Sequence, residues 1–258
     1  MTTTQTFPFY VAAYESGSTS HELPLWGSHK DNPLALDIDP LTPRDYSVVE
    51  GVPGAFQLFN VFSEQECRSF IDAAETMGYT EDAAVSLGRH IRHNMNLNWI
   101  IDDATERQIW SRIASHFDKA NPHFLNKNPL GLNQRFRFYR YEKGDFFSFH
   151  TDGAWPGSRI LDGKPVVDSF GDRYSLYTCL IFLSDDFLDG ATQFLVDPLD
   201  ATRPARTPNT AALKNVRTPA GGMLFFPHGS HPLHCLHGSQ KIAEGVKYII
   251  RTDVLFSV

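Results

Sequence analysis

From Gly131 onward, apolar and polar residues alternate with a period of two, in short runs broken by Gly, Pro and Asp. Successive strand residues point to opposite faces of a sheet. The pattern therefore predicts strands at 133–142, 146–152, 174–183, 191–196, 222–227, 233–239 and 245–256. Segments 153–173 and 197–221 separate them without such a period. Before Gly131 the period is helical. In "SEQECRSFIDAAETMGY" Cys67, Phe70, Ile71, Ala74 and Met77 share one face, and Ser63 and Glu66 have the spacing of a capping box. In "DATERQIWSRIASHFDKA" Ile109, Trp110, Ile113 and Phe117 form the apolar side. "GAFQLFNVF", residues 54–62, is a further strand candidate. Residues 1–50, rich in Thr, Ser, Pro and Asp, show neither period and are expected to form an irregular arm over the domain surface. Two helices followed by many short strands predict a mainly β chain with supporting helices (α+β), a sandwich or barrel with helices packed on one face. One domain is expected over 51–258, with helical support at 51–130 and the β core at 131–258.

Composition narrows the function classes. The 258 residues are 41% hydrophobic and 13% aromatic, enough for a real core and unlike a disordered chain. A net charge of −7 argues against a nucleic-acid-binding surface. No window reaches the apolar length that spans a bilayer, so no membrane partner is expected. Cys67, Cys179 and Cys235 are odd in number, widely spaced and without a CxxC, which fits a reducing compartment better than a disulfide framework. The N-terminal stretch lacks the basic start and apolar run of a signal peptide, and a cytoplasmic location is expected.

Candidate chemistry starts at "RYEKGDFFSFHTDG". His-x-Asp alone is weak evidence and occurs three times, as His29–Asp31, His116–Asp118 and His150–Asp152. On a helix, residues two apart point to nearly opposite sides, which disqualifies His116 and Asp118. His29 and Asp31 lie in a turn-like stretch. His150 and Asp152 end a strand candidate, where residues two apart share a face; an ordinary strand end running into an Asp-Gly turn remains the plainer alternative. The C-terminal segment adds His228, His231, His234 and His237, spaced by three among Pro and Gly residues that exclude a helix. A His-rich loop or a zinc tract would fit that spacing. Neither accounts for Lys247 and Arg251 on one face of a strand that reads as buried, where two cations are costly without an opposing anion. Two histidines and a carboxylate suit a non-haem Fe(II) oxygenase, and a nearby buried cation suits a dicarboxylate co-substrate.

These residues resemble the catalytic domain of the prolyl 4-hydroxylase-like iron(II)/2-oxoglutarate-dependent dioxygenases. The family pattern is His-x-Asp, a distant His and a Lys ten residues later; here that reads His150, Asp152, His237 and Lys247. The family's tyrosine nine residues before the first ligand falls on Tyr141, and its threonine in the strand after the lid falls on Thr178. "DGATQF" resembles Gly-Gly-x-Thr-x-Phe, with Asp189 in place of the first glycine. The resemblance covers about residues 130–258, with weaker similarity from Gly54. It implies a double-stranded β-helix (jelly roll) core with N-terminal helices, Fe(II) on His150, Asp152 and His237, and 2-oxoglutarate on Tyr141, Thr178 and Lys247, with Arg251 sharing or replacing the role of Lys247. It further implies O2 as co-substrate, ascorbate as supporting reductant, and hydroxylation of an unactivated C–H bond of a peptide side chain or small molecule with release of succinate and CO2.

For the substrate, Arg137 and Tyr139 share a strand face with Tyr141, and Trp155 follows closely on Asp152. The insertion 154–175 is a candidate lid, and Arg203, Arg206, Lys214 and Arg217 are a candidate rim for an acidic substrate. The second class of function kept open is a non-catalytic jelly-roll metal-binding or sensing protein that uses the His-rich 228–237 segment.

Overall fold

The computed structural model describes residues 7–37, 45–84 and 87–258. Eight strands form its core: β1 Arg135–Tyr141, β2 Phe146–His150, β3 Arg173–Phe182, β4 Thr192–Val196, β5 Ala212–Val216, β6 Met223–Pro227, β7 His237–Ser239 and β8 Lys247–Ser257. They divide between two sheets. The larger has the order β1-β8-β3-β6 and the smaller β5-β4-β7-β2, with every neighbouring pair antiparallel. The fold is mostly β, and this order is compatible with a jelly roll.

The predicted strands lie close to the observed ones, with three differences, the first being that β5 falls in the segment 197–221, where no strand was expected. The segment 233–239 is strand only from His237, because His228–His231 and His231–His234 close tight backbone turns before it. The segment 245–256 breaks at Gly245, whose φ of 79° ends a short strand, Ile242–Glu244, before β8 begins.

The N-terminal reading is corrected more deeply. Residues 9–28 are not irregular: Phe9–Glu15 and Leu23–Ser28 form an antiparallel hairpin. Leu23–Ser28 lies parallel to Met95–Ile100, which pairs in turn with β1, so the hairpin extends the larger sheet. Tyr46–Val48 and Phe56–Leu58 extend its other edge beside β6. The parts of the expected arm at 1–6 and 38–44 lie outside the described residues.

Helix α1 spans Glu64–Met77 and α2 spans Asp103–Ile113. The capping box is formed: the Glu66 N–H donates to Ser63 Oγ at 3.2 Å, and the Ser63 N–H donates to the Glu66 carboxylate at 2.9 Å. The same carboxylate receives two bonds from Arg112 of α2, at 3.0 and 2.5 Å, so one buried ion pair ties the helices together. Helix α2 stops short of its pattern and continues as a 3₁₀ turn, Ala114–His116, yet Phe117 stays buried. Cys67, Phe70, Ala74, Ile109 and Ile113 belong to one apolar cluster with Trp99, Phe136, Phe138, Phe225 and Ile250 from the larger sheet. A second cluster, with Tyr139, Tyr141, Leu180, Phe194, Phe226 and Ile249, fills the space between the sheets. Alternation therefore sorts each strand of the larger sheet into a helix-facing and a cavity-facing set.

Candidate active site

Pairing register gathers the site. His237 of β7 lies directly opposite His150 of β2, and Phe194 of β4 lies opposite His237. On the larger sheet, Lys247, Ile249 and Arg251 of β8 lie opposite Tyr141, Tyr139 and Arg137 of β1. Asp152 sits just past the end of β2. Gly238 lets the strands approach closely, since a Cβ on it would fall 2.7 Å from the Phe147 carbonyl oxygen of the neighbouring strand.

Three donors converge. His150 Nε2 is 3.7 Å from Asp152 Oδ1, His237 Nε2 is 3.4 Å from Asp152 Oδ2, and the ligand atoms all lie within 4.8 Å of one another. His150 Nδ1 is 2.8 Å from the Ser148 carbonyl and His237 Nδ1 is 3.3 Å from the Cys235 carbonyl. A carbonyl only accepts, so the Nδ1 atoms carry the protons and the Nε2 lone pairs face the carboxylate. Burial, followed by the neighbouring His237, lowers the His150 pKa to about 4, which keeps it neutral and able to ligate. Burial alone would raise the Asp152 pKa, but Arg251 and the two histidines hold it well below the usual carboxylate range. This donor set fits a divalent metal ion such as Fe(II).

Two cavities meet at this group. An outer cleft of about 230 Å³ is lined by His150, Asp152, Tyr139, Arg137 and Trp155. An inner chamber of about 30 Å³ is lined by His150, Asp152 and His237 and reaches Tyr141, Thr192, Ser239 and Lys247. Lys247 is 0% exposed, and its ammonium donates to the Gly190 carbonyl at 2.7 Å and to Ser239 Oγ at 3.0 Å, both neutral. Burial, with a smaller contribution from Arg217, lowers its pKa to about 7.

Of two further residues expected at the co-substrate, Arg251 lines the inner chamber and Thr178 does not. The Thr178 hydroxyl donates to Asp152 Oδ2 at 2.7 Å and is 2.8 Å from His228 Nδ1. Arg251 does line both cavities, but its guanidinium is engaged by Asp152 at 3.2 Å and Asp253 at 3.1 Å. Both residues therefore position Asp152. The threonine that does line the chamber is Thr192, within the quoted "DGATQF" and fourth in the Gly-Gly-x-Thr pattern, which was the available signal. Arg92, Asn96 and Asn98, from the segment 89–99 that the sequence marks only as a whole, also line the outer cleft.

The histidine tract does not gather into a second site. His228 bonds Ser175 and Thr178, His231 the His123 carbonyl, and His234 the His231 carbonyl and Arg206. Among the described residues, the one converging group of metal-binding side chains is His150, Asp152 and His237. The candidate basic rim is also dispersed, with Arg203 on Asp197, and Arg217 on backbone carbonyls of Asp185, Phe187 and Asp189. Within the insertion 154–175, the small hairpin Arg159–Leu161 with Lys164–Val166 packs near the N-terminal hairpin, where Ile160 contacts Gly27.

No protein-family model and no curated protein matches the sequence. Solved structures match its shape. A prolyl hydroxylase from Trichoplax adhaerens, in complex with a hypoxia inducible factor oxygen degradation domain peptide fragment, has a TM-score of 0.52 at 15% identity, over 79% of this chain and 84% of that one. A Pseudomonas putida prolyl-4-hydroxylase gives 0.48 at 13% identity, over 78% and 92%. HygX from Streptomyces hygroscopicus, with nickel, 2-oxoglutarate and hygromycin B bound, gives 0.45 at 16% identity, over 80% and 83%. The chain has the fold of the prolyl 4-hydroxylase-like iron(II)/2-oxoglutarate dioxygenases.

Proposed function

We propose that this protein is an Fe(II)- and 2-oxoglutarate-dependent dioxygenase that hydroxylates an unactivated C–H bond, with release of succinate and CO2. The observation that carries this reading is the place of His150, Asp152 and His237 on the wall shared by two cavities, the inner one ending at a buried ammonium. In this reading the two Nε2 atoms and a carboxylate oxygen of Asp152 hold Fe(II). Bound iron, with 2-oxoglutarate and O2, supplies the oxidising power needed to break an unactivated C–H bond.

The remaining roles fall to the protein. Lys247 pairs with the far carboxylate of 2-oxoglutarate, and Tyr141, Thr192 and Ser239 line the way to it. Bonds between ionised partners are about twice as strong as neutral ones, so this contact orients the diacid. Arg251 and Thr178 keep Asp152 ionised and aimed between the imidazoles. Phe147, stacked 3.7 Å from His150, walls the site against water. Substrate enters through the outer cleft, past Arg137, Tyr139 and Trp155.

Anaerobic addition of Fe(II) and 2-oxoglutarate tests this. A weak visible charge-transfer band is expected in the wild type and is lost in Asp152→Ala. Succinate release under O2 with ascorbate then follows turnover. An absent band, or one unchanged in Asp152→Ala, would refute the assignment.

A further inference from the structure

Two side chains that line the outer cleft, Arg137 and Asn96, each carry a buried polar atom without a hydrogen-bond partner. Across the paired strands Met95–Ile100 and β1, Asn96 lies opposite Tyr139 and Asn98 opposite Arg137, while Leu97 and Trp99 turn away into the helix-side core. That strand therefore presents two amides to a cleft walled also by Ala83, Ala84, Leu87, Phe147 and Trp155. Of its lining residues four are arginines, and the one acid is the ligand Asp152. Arg135 is paired with Glu15 at 2.5 Å, and Arg251 with Asp152 and Asp253. Arg137 is different. It is 6% exposed, and its Nη1 has no hydrogen-bond partner. The nearest acid, Asp253, is 3.6 Å from that nitrogen, near enough for attraction and too far for a hydrogen bond. The guanidinium lies 5.4 Å from the Trp155 ring centre, which fixes its plane beside the cleft.

Asn96 supplies the complement. Its NH2 donates to the Asn94 carbonyl at 3.2 Å, which can only accept, so the amide orientation is set. Its Oδ1, on a residue 4% exposed, is left without a donor. Buried polar atoms are almost always satisfied, and an unpaired cationic donor and an unpaired acceptor on two side chains that line one cleft point to a ligand that completes both. The volume of about 230 Å³ lies below the range usual for drug-sized ligands.

We propose, resting on the dioxygenase reading, that the substrate is a free α-amino acid or equally small zwitterion, its carboxylate on Arg137 and its ammonium on Asn96. An internal peptide residue offers neither charge, so this cleft selects against peptide substrates.

The test uses the Fe(II)- and 2-oxoglutarate-loaded protein with the twenty L-amino acids, each beside its carboxamide, its N-acetyl derivative and a Gly-X-Gly tripeptide. At least one free amino acid is expected to accelerate succinate release. Its carboxamide and N-acetyl forms should each lose about 30-fold or more in kcat/KM, because a site built to pair a charged group rejects the analogue that lacks it. In Arg137→Lys the KM for that amino acid should rise by a similar factor, with the KM for 2-oxoglutarate unmoved. Since Arg137 is buried, the ligand series on the wild type decides the matter if the variant misfolds. Equal activity with carboxamides or tripeptides, or no response to any free amino acid while the charge-transfer band forms, overturns the proposal and leaves the dioxygenase reading standing. Failure of the band itself overturns both.

Discussion

Lys247 is wholly buried, and its hydrogen bonds go to neutral oxygens of Gly190 and Ser239. Burial lowers its pKa from 10.5 to about 7, so without an anionic partner the neutral amine is favoured above that pH. A bound diacid requires the ammonium. The affinity of the iron-loaded protein for 2-oxoglutarate is therefore expected to weaken as pH rises above about 7, approaching about tenfold per pH unit, with one proton taken up on binding. Titration calorimetry in buffers of different ionisation enthalpy reads both quantities; a flat profile to pH 9 would remove Lys247 from the role. The sign for stability runs the other way. A folded value below the unfolded one means that the metal-free protein loses stability as pH falls from 10.5 to about 7, so Lys247→Met should raise its Tm at pH 7 while weakening 2-oxoglutarate about 10- to 100-fold. Thr178 supplies a second contrast. Because its hydroxyl serves Asp152, Thr178→Val should weaken metal binding about tenfold and leave the 2-oxoglutarate KM in place; a rise in that KM alone would restore the contact read from sequence. At this scale the convergence of His150, Asp152 and His237 and the burial of Lys247 were legible because fixed spacings across strands carry them. The bond from Thr178 to Asp152 was not legible, because residues on one inward face can reach either the ligand or the residue that holds it. Asp189 shows why a motif survives a substitution: its φ of 62° is the left-handed conformation that glycine usually provides and that Asp tolerates.

The core strands announced themselves through alternation, whereas the N-terminal hairpin did not. In Phe9–Glu15 most residues are half-buried on both faces, so no period of two survives. In Leu23–Ser28 the inward set is Leu23, Leu25 and Gly27, and its third member carries no apolar side chain. The hairpin nevertheless shapes the cleft. Asp82 accepts N–H bonds from Ser18, Thr19 and Ser20 at 3.0, 2.7 and 2.9 Å, and hydroxyl bonds from Ser18 and Thr19. These bonds, outweighing the burial that opposes them, hold its carboxyl well below the usual range. Ala83 and Ala84, next in the chain, line the outer cleft. Asp82→Ala should therefore speed amide exchange at residues 18–20 and raise the substrate KM several-fold, with 2-oxoglutarate binding unchanged. Exchange rates equal to wild type would show that the hairpin is held by its strands alone.

The site lies between the two larger sheets. His150 and His237 belong to the smaller sheet, and Lys247 and Tyr141 to the larger one, with Asp152 on the loop that leaves β2. The diacid would thus join the sheets through the metal at one end and the ammonium at the other. Its stabilising effect must depend on the metal, since binding to the folded state alone raises stability by about 2.7 kcal/mol when the ligand is at 100 times its Kd. For a domain of this size that amounts to about 5–10 °C in Tm. Thermal denaturation under anaerobic conditions should show a moderate rise with Fe(II), little with 2-oxoglutarate alone, and the full rise with both. Lys247→Met should keep the metal increment and lose about half or more of the additional one, while Asp152→Ala should lose both. Equal stabilisation by 2-oxoglutarate with and without metal would mean that the diacid binds outside the inner chamber, and the bridge between the sheets would have to be abandoned.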